Sequence, residues 1–187
     1  TRAMGQEEVA KNVSSADIFT DMVVEGGKDH WATGYVRVAY NLGIIVGMGD
    51  NTFVPDAPVT YEQAVKMIVC ALGYEQICID RGGWPTGYLS IGNEIGVTKA
   101  AIMQPSSQPA PRGMVTKLLY NSMNLRIIEK TSSGNYSLTT KTILNSKLKV
   151  FELHNAMVVE VDGIASLNPG KSSLREGEMI LESSNNE

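Results

Sequence analysis

Apolar side chains recur every three or four positions along residues 60–73, which predicts an amphipathic helix. The apolar face of this helix consists of Ala64, Met67, Ile68, Ala71 and Leu72. Thr60 and Gln63 form a T-x-x-Q capping box, which predicts that the helix begins directly after Thr60.

The same pattern occurs twice in the chain. The motif W-x-T-G-Y stands at residues 31–35 and again at 84–88, and each copy is followed by an apolar pattern that closes on Gly and a β-branched residue. Residues 111–124 repeat residues 60–73, with a lysine at the same position of each copy. Each unit is therefore predicted to be helix, loop, helix. A repeat of about 50 residues cannot bury its own apolar face and must pack against its copies.

The loops of the two units differ. The first, residues 44–60, contains Gly47 and Gly49 for backbone freedom and an Asp50-Asn51 turn. Phe53 is a lone large apolar residue there and is predicted to insert into the core. The equivalent residues 97–110 lack the Gly-x-Gly-Asp turn and the phenylalanine, so this second loop must be built differently.

The pattern changes after residue 125. Residues 125–140 are polar and are predicted to form a linker. Short runs rich in Val, Ile and Leu follow at 147–153, 156–163 and 176–182, which are typical of strands. We expect residues 141–187 to be the start of a β-rich region that continues beyond this chain, or a small sheet docked on the helices.

Composition narrows the function classes. The chain is 43% hydrophobic and 19% charged, as globular proteins are. A formal charge of −4 argues against binding nucleic acid by general electrostatics. No apolar run approaches the roughly 18–20 residues that a membrane helix needs.

No catalytic or metal-binding motif is present, so we expect neither an enzyme nor a cofactor. Residues 50–61 fail the EF-hand spacing, and His30 has no partner ligand nearby in the sequence. Cys70 is predicted to be a small core residue, while a Cys70–Cys78 bridge stays open if the protein is exported.

Residues 19–74 resemble the S-layer homology (SLH) module, whose pattern is F-x-D, H-W-A, G-I-I-x-G, G-D-G-T-F-x-P and then a T-R-A-E-type helix start. The matching residues are Phe19, Asp21, His30, Trp31, Gly43, Ile44, Gly47, Gly49, Asp50, Thr52, Phe53 and Pro55. Residues 75–124 resemble a second, degenerate copy. Thr1-Arg2-Ala3 resembles the T-R-A of a preceding copy, which makes residues 1–18 a remnant.

The resemblance implies a mainly α fold, in which helix-loop-helix repeats form a pseudo-threefold bundle followed by the small β-rich segment. Such modules bind an anionic, often pyruvylated, secondary cell-wall polysaccharide on peptidoglycan in the grooves between repeats. It also implies an extracellular protein at the cell wall or surface layer of a Gram-positive-type bacterium.

The resemblance and the sugar chemistry together select a set of candidate ligand-binding residues. Arginine offers a bidentate donor pair for a carboxylate, and aromatic rings offer a surface for sugar. The set is Arg2, Trp31, Gly47, Gly49, Asp50, Tyr61, Trp84 and Arg112. Tyr61 stands where the family has arginine, and could stack on sugar but not neutralise a carboxylate.

Each candidate also has a simpler interpretation. The two tryptophans could be core or half-core residues that fix the packing of the repeats, Asp50 a turn residue, and Arg112 a solvated residue of a first helical turn. The first functional hypothesis is therefore non-covalent anchoring to the wall polysaccharide. The alternative is a structural or assembly fragment of a surface-layer protein, whose repeats pack against other surface-layer subunits.

Overall fold

A computed structural model describes residues 1–13, 18–101, 105, 107–151, 156–161 and 179–183. The helices are α1 (Glu7–Asn12), α2 (Thr33–Asn41), α3 (Tyr61–Ala71), α4 (Glu75–Asp80), α5 (Thr86–Glu94) and α6 (Arg112–Ser122). The strands are β1 (Val23–Val24), β2 (Lys28–Asp29), β3 (Arg126–Lys130), β4 (Tyr136–Thr142), β5 (Ala156–Val161) and β6 (Met179–Ser183). A 3-10 helix at Arg2–Met4 and a π-helix at Ile143–Lys147 complete the described elements.

The two predicted helix-loop-helix units are present. In the first unit α2 is followed by a loop and α3, and in the second unit α5 is followed by a loop and α6. The capping box forms as predicted, because the Thr60 side chain accepts from the backbone N–H of Gln63 and the Gln63 side chain accepts from that of Thr60. The described residues are thus mainly helical, as expected.

The glycine of W-x-T-G-Y explains why the motif is repeated. A Cβ on Gly34 would lie 1.9 Å from the carbonyl oxygen of Ala10 in α1, and one on Gly87 would lie 2.1 Å from that of Cys78 in α4. Only glycine permits two helix backbones to approach this closely. The helix that follows each tryptophan, α2 or α5, therefore packs on the short helix that comes before it in the chain, α1 or α4.

The core of the first unit forms around two aromatic rings. Phe19 packs on Phe53 with ring centroids 5.5 Å apart, and on Tyr40 at 5.6 Å. Phe53 thus inserts into the core as predicted. The larger core cluster lies between α3, α5 and α6, where Leu72 and Leu118 are fully buried.

The segment expected to be a linker, residues 125–140, is instead mostly a β-hairpin. β3 and β4 pair antiparallel across a turn at residues 131–135, and Ile127 and Ile128 are buried in the main core. The backbone N–H of Ile128 donates to Leu72 O at 2.9 Å, which fixes the hairpin to the end of α3. The polar composition suggested a linker because the residues of β4 are mostly exposed to solvent, where threonine is common in strands.

The chain divides into two compact units, Thr1–Lys149 and Val150–Glu187. In the second unit β5 and β6 pair antiparallel, which agrees with the strands predicted at 156–163 and 176–182. The strand predicted at 147–153 does not form over residues 147–151, where Lys147 ends a π-helix. The rest of that run lies outside the described residues.

Candidate functional site

Both tryptophans of the repeated motif lie at the surface. The Trp31 side chain is 80% exposed just before α2, and the Trp84 side chain is 51% exposed just before α5. Neither ring is enclosed in the core, but the alternative that they are half-core residues fixing the packing of the repeats stays open, since the Trp84 ring contacts Lys66 of α3. Their expected role as walls of a ligand groove stays a prediction.

Lys66 connects α3 to the second of these tryptophans. Its Nζ lies 5.5 Å from the ring centroid of Trp84 and 5.4 Å from that of Tyr88, both within the range of cation–π attraction. Burial raises the pKa of Tyr88 to about 12, so this phenol remains neutral. Sequence reasoning did not select Lys66, although its side chain lies at the edge of the apolar face of α3.

The loop after α2 is held by turn chemistry. Gly47 and Gly49 have φ of 75° and 96°, and a Cβ on Gly47 would lie 2.3 Å from the Phe19 ring. The Asp50 carboxylate accepts from the side chain and, at 3.1 Å, the backbone N–H of Thr52, and these hydrogen bonds lower its pKa. These three candidates therefore shape the loop, with Asp50 in the simpler role of a turn residue.

Asp21 is the residue that fixes this loop from outside. Its carboxylate accepts from the backbone N–H of Phe53 at 2.9 Å and of Val54 at 2.6 Å. Val54 has a φ of 57°, which a β-branched residue rarely adopts without such support. Sequence reasoning noted Asp21 only as part of F-x-D and missed this role.

His30 connects the same loop to the start of α2. Its Nδ1 accepts from the backbone N–H of Ala32 at 3.2 Å, so its Nε2 carries the proton and donates to Asp56 at 3.3 Å. The imidazole ring lies 5.5 Å from that of Trp31. Within the described ranges no group of three or more His, Cys, Asp or Glu side chains could hold a metal ion.

Tyr61, which stands where the family pattern has arginine, is buried. Its side chain is 2% exposed and lines a small pocket of about 160 Å³ with Leu89, Asn93, Thr98 and Ala101. Burial raises the pKa of Tyr61, and a hydrogen bond with Thr98 offsets part of the rise. The ring therefore offers little free surface on which a sugar could stack.

Arg2 does not lie at the position that the T-R-A resemblance implied. Gly5 has a φ of 66° and its N–H donates to Arg2 O, just as Gly73 has a φ of 84° and donates to Cys70 O. Each glycine is followed by a short helix, α1 or α4. Arg2 thus corresponds to Cys70 near the end of the second helix of a unit, and not to Tyr61 at its start.

The guanidinium of Arg2 is already engaged within the protein. It lies 3.1 Å from the Glu7 carboxylate and 5.7 Å from the ring centroid of Tyr35. A hydrogen bond with Tyr35 and the charge of Glu7 raise its pKa. The correspondence with Thr1-Arg2-Ala3 failed because three residues carry too little pattern to fix a register.

Arg112 begins α6 and is exposed, as the T-R-A position implied. An isolated β-bridge joins Thr60 to Pro109, and the N–H of Ala110 donates to Val59 O at 2.8 Å. The starts of α3 and α6 therefore lie side by side. Within the described part of the chain, no hydrogen bond, ion pair or ring contact joins Arg112 to either tryptophan.

Cys70 and Cys78 are free thiols buried in the main core. Burial raises the pKa of Cys70 to about 12 and that of Cys78 to about 11. Both are therefore unreactive core residues, as predicted for Cys70, and the structure contains no bridge between them.

The chain contains paired helix-loop-helix units with exposed aromatic residues. This arrangement defines a repeat module, a class of protein that either binds a ligand or has a structural role. The S-layer homology domain profile matches residues 25–65, and the chain contains this domain. Among the described helices, none combines the length and the apolar character needed to cross a membrane. No solved structure matches the chain.

Relatives of the chain are surface proteins of Gram-positive bacteria. It is 34% identical over 152 residues to the middle cell wall protein of Brevibacillus brevis and 35% identical over 152 residues to the surface layer protein of Brevibacillus choshinensis. Both matches cover 80% of this chain but only 14% and 13% of the relatives. A cell surface protein of Thermoanaerobacter kivui is 32% identical over 97 residues, 51% of this chain and 12% of that protein.

The domain and these relatives identify a segment of an extracellular cell-surface protein, and they point to a structural rather than an enzymatic role for this segment. The S-layer homology module implied by the sequence is thereby confirmed. Because the chain spans about a seventh of the relatives' length, the activity of any larger protein is a matter for proposal.

Proposed function

We propose that this chain anchors a protein to the cell wall by binding an anionic secondary cell-wall polysaccharide, of the pyruvylated kind that SLH modules bind, non-covalently. The observation that carries this proposal is the exposure of Trp31 and Trp84 at equivalent places in two repeats. Equivalent exposure in two repeats differs from the scattered exposure of single apolar residues, and the tryptophan ring is a good surface for the apolar face of a sugar. An anionic chain also needs local cations, because the whole molecule has a charge of −4.

A pseudo-threefold bundle, the finer part of the expected architecture, belongs to the same proposal. The described helices provide two equivalent packed pairs, α2 on α1 and α5 on α4. A third pair would require another helix on the outer side of α6. That closed arrangement stays a prediction of the resemblance.

Assembly with other surface-layer subunits is the second candidate function. It is favoured by the ion pair of Arg2, which engages one of the two cations expected at the repeat grooves, and by the burial of Tyr61, which encloses a ring expected to stack on sugar. Val46 and Met48 in the loop after α2 are also 55% and 59% exposed, which suits a protein contact.

Co-sedimentation with peptidoglycan sacculi, with and without their secondary polymer, tests the anchoring proposal. The parent chain should sediment only with polymer-bearing sacculi, and the double variant Trp31→Ala/Trp84→Ala should bind at least about tenfold more weakly. Tyr136→Ala is the matched control, because that ring is 45% exposed on β4, outside the repeats. A folded parent chain that stays in solution with every preparation would favour assembly instead.

A further inference from the structure

The two tryptophans of the repeated motif differ in what lies against their rings. The amine of Lys66 on α3 lies 5.5 Å from the ring centroid of Trp84, so the protein itself places an ammonium group against this indole. Among the described residues, no lysine or arginine lies over the ring of Trp31, which is 80% exposed. The first repeat therefore leaves open the indole surface that an ammonium group covers in the second repeat.

The charges around Trp31 are mostly negative. Residues 19–32 and 44–60 pack together through the hydrogen bonds of the Asp21 carboxylate and the His30 imidazole. These two segments contain five carboxylates and one lysine, a formal charge of −4 that equals the formal charge of the whole chain. The electrostatic potential around this indole therefore favours a cation and disfavours an anion.

One of these carboxylates is held close to the indole by a shared neighbour. The imidazole of His30 bonds Asp56 Oδ1 through its Nε2 at 3.3 Å, and its ring centroid lies 5.5 Å from that of Trp31. His30 is only 6% exposed, so the imidazole that both residues contact is fixed in place. The Asp56 side chain is 86% exposed, so its carboxylate can be reached from solvent. An ammonium group over this indole would lie near an accessible carboxylate.

The second repeat has a different balance of charge at the equivalent place. Its corresponding segments, residues 72–85 and 97–110, contain two carboxylates, one arginine and one lysine, a formal charge of zero. The amine of Lys66 adds a positive charge directly at the Trp84 ring and would repel a second cation there. The two exposed tryptophans stand before equivalent helices, yet only the surroundings of Trp31 suit a positively charged ligand.

We infer that Trp31 and Asp56 bind an amino sugar of the wall polysaccharide, through a free ammonium group on its ring. The ammonium group lies over the indole, as that of Lys66 does at Trp84, and the Asp56 carboxylate balances its charge. The apolar face of the same sugar packs on the rest of the indole. This inference rests on the proposed anchoring function, and it adds free amino groups to the acidic groups of the polymer.

A hexamer of glucosamine and a hexamer of N-acetylglucosamine test the inference, because they share the sugar ring and differ in the ammonium group. Calorimetric titration is done at about pH 6.5, where amines of this kind are largely protonated, and in about 0.15 M salt, which screens distant charges. The parent chain should bind the glucosamine hexamer at least about tenfold more tightly. Trp31→Ala should weaken that binding about fivefold, and Asp56→Asn, which keeps an acceptor for His30, about threefold.

Two variants serve as matched controls. Trp84→Ala makes the same change where Lys66 already supplies the cation, and Asp80→Asn removes an exposed carboxylate of α4. Both should stay within about twofold of the parent. Equal losses in Trp31→Ala and Trp84→Ala, or equal binding of the two hexamers by the parent, would overturn the inference. A lysine hexapeptide that binds more tightly than the glucosamine hexamer, with the same dependence on Trp31, would also overturn it, because the partner would then be a protein.

Sacculi distinguish failure of this inference from failure of the proposed function. Mild N-acetylation of polymer-bearing sacculi removes free amines and leaves carboxylates in place. Weaker sedimentation of the parent with acetylated sacculi, and a smaller difference for Asp56→Asn, would support the inference. If the parent sediments equally with native and acetylated sacculi, anchoring stands and the amino-sugar inference fails. If the parent sediments with neither, anchoring fails, and the comparison of the two hexamers alone decides whether Trp31 takes an ammonium group.

Discussion

α3 and α6 occupy the same place in two repeats and are both 11 residues long, yet their environments differ. α3 is covered by α5, and its Lys66 reaches the rings of Tyr88 in that helix and of Trp84 just before it. α6 packs on α3 with one side only, and its Lys117 contacts a ring on its own helix. The comparison teaches that a repeat can keep its backbone while neighbouring contacts decide whether a position serves packing or remains available.

The largest predicted effect is a fall in folding stability at high pH, which originates in the groups packed around α3, α4 and α5. Cys70, Cys78 and Tyr88 titrate well above their ordinary pKa values and lie around α3, α4 and α5. The folded state therefore holds protons that the unfolded chain releases, so stability is full below about pH 9 and falls as pH rises towards 11–12. Chemical unfolding at pH 8 and 10.5 should differ by on the order of 4 kcal/mol. A Cys70→Ala/Cys78→Ala variant should lose much less over that interval, and an equal fall would contradict the account.

The next largest effects concern glycines: Gly34 and Gly87 contact the backbone of a neighbouring helix, whereas Gly113 in α6 does not. Gly87→Ala places a Cβ against the Cys78 carbonyl and should cost about 3 kcal/mol in the free energy of unfolding, and Gly34→Ala should behave alike. Gly113→Ala in α6 meets open space and should be neutral or stabilising by up to about 1 kcal/mol. Urea unfolding of the three variants gives the comparison. Similar midpoints for Gly87→Ala and Gly113→Ala would show that α5 and α4 are not packed as described.

The third prediction compares the two carboxylates that hold the loop after α2, those of Asp21 and Asp50. Asp21→Ala removes a carboxylate that accepts two backbone N–H groups and should cost about 2–3 kcal/mol. Asp50→Ala removes exposed turn hydrogen bonds only and should cost less than about 1 kcal/mol. Thermal unfolding measures both, and a reversed order would assign the structural role to Asp50.

The smallest effects are expected from exchanging side chains at equivalent positions of the two helices, Val65 of α3 and Thr116 of α6. Val65→Thr should cost about 1–2 kcal/mol, because it buries a hydroxyl between α3 and α5. Thr116→Val on the open side of α6 should change the free energy of unfolding by less than about 0.5 kcal/mol. A large loss in Thr116→Val would mean that this face has a structural partner.

The repeat and its helices could be predicted from the sequence because their signals are periodic. The spacing of Ala64, Met67 and Ile68 and the capping box at Thr60 located α3 closely. The β3–β4 hairpin was missed because its two strands are mostly polar and exposed, and only Ile127 and Ile128 of β3 are buried.

The candidate site was less predictable because exposure depends on neighbours far away in the sequence. Tryptophan is usually well buried, so the exposure of Trp31 could not be read from its motif. Nor could the pattern show that Tyr61 is enclosed while Arg112 at the equivalent position is open. That difference arises from α5, which packs on α3 and contributes Leu89 and Asn93 to the pocket at Tyr61.

One measurement tests directly whether the side of α6 that carries Arg112, Thr116 and Tyr120 is open to solvent and is covered when the chain binds the wall polymer. The variants Thr116→Cys and Val65→Cys of the folded chain are treated with a maleimide at pH 7. The buried thiols of Cys70 and Cys78 should not react under these conditions. The account predicts rapid labelling of Thr116→Cys, protection of it by polymer-bearing sacculi but not by stripped ones, and no labelling of Val65→Cys. Labelling of Thr116→Cys that is blocked without sacculi, or that polymer-bearing sacculi leave unchanged, would contradict it.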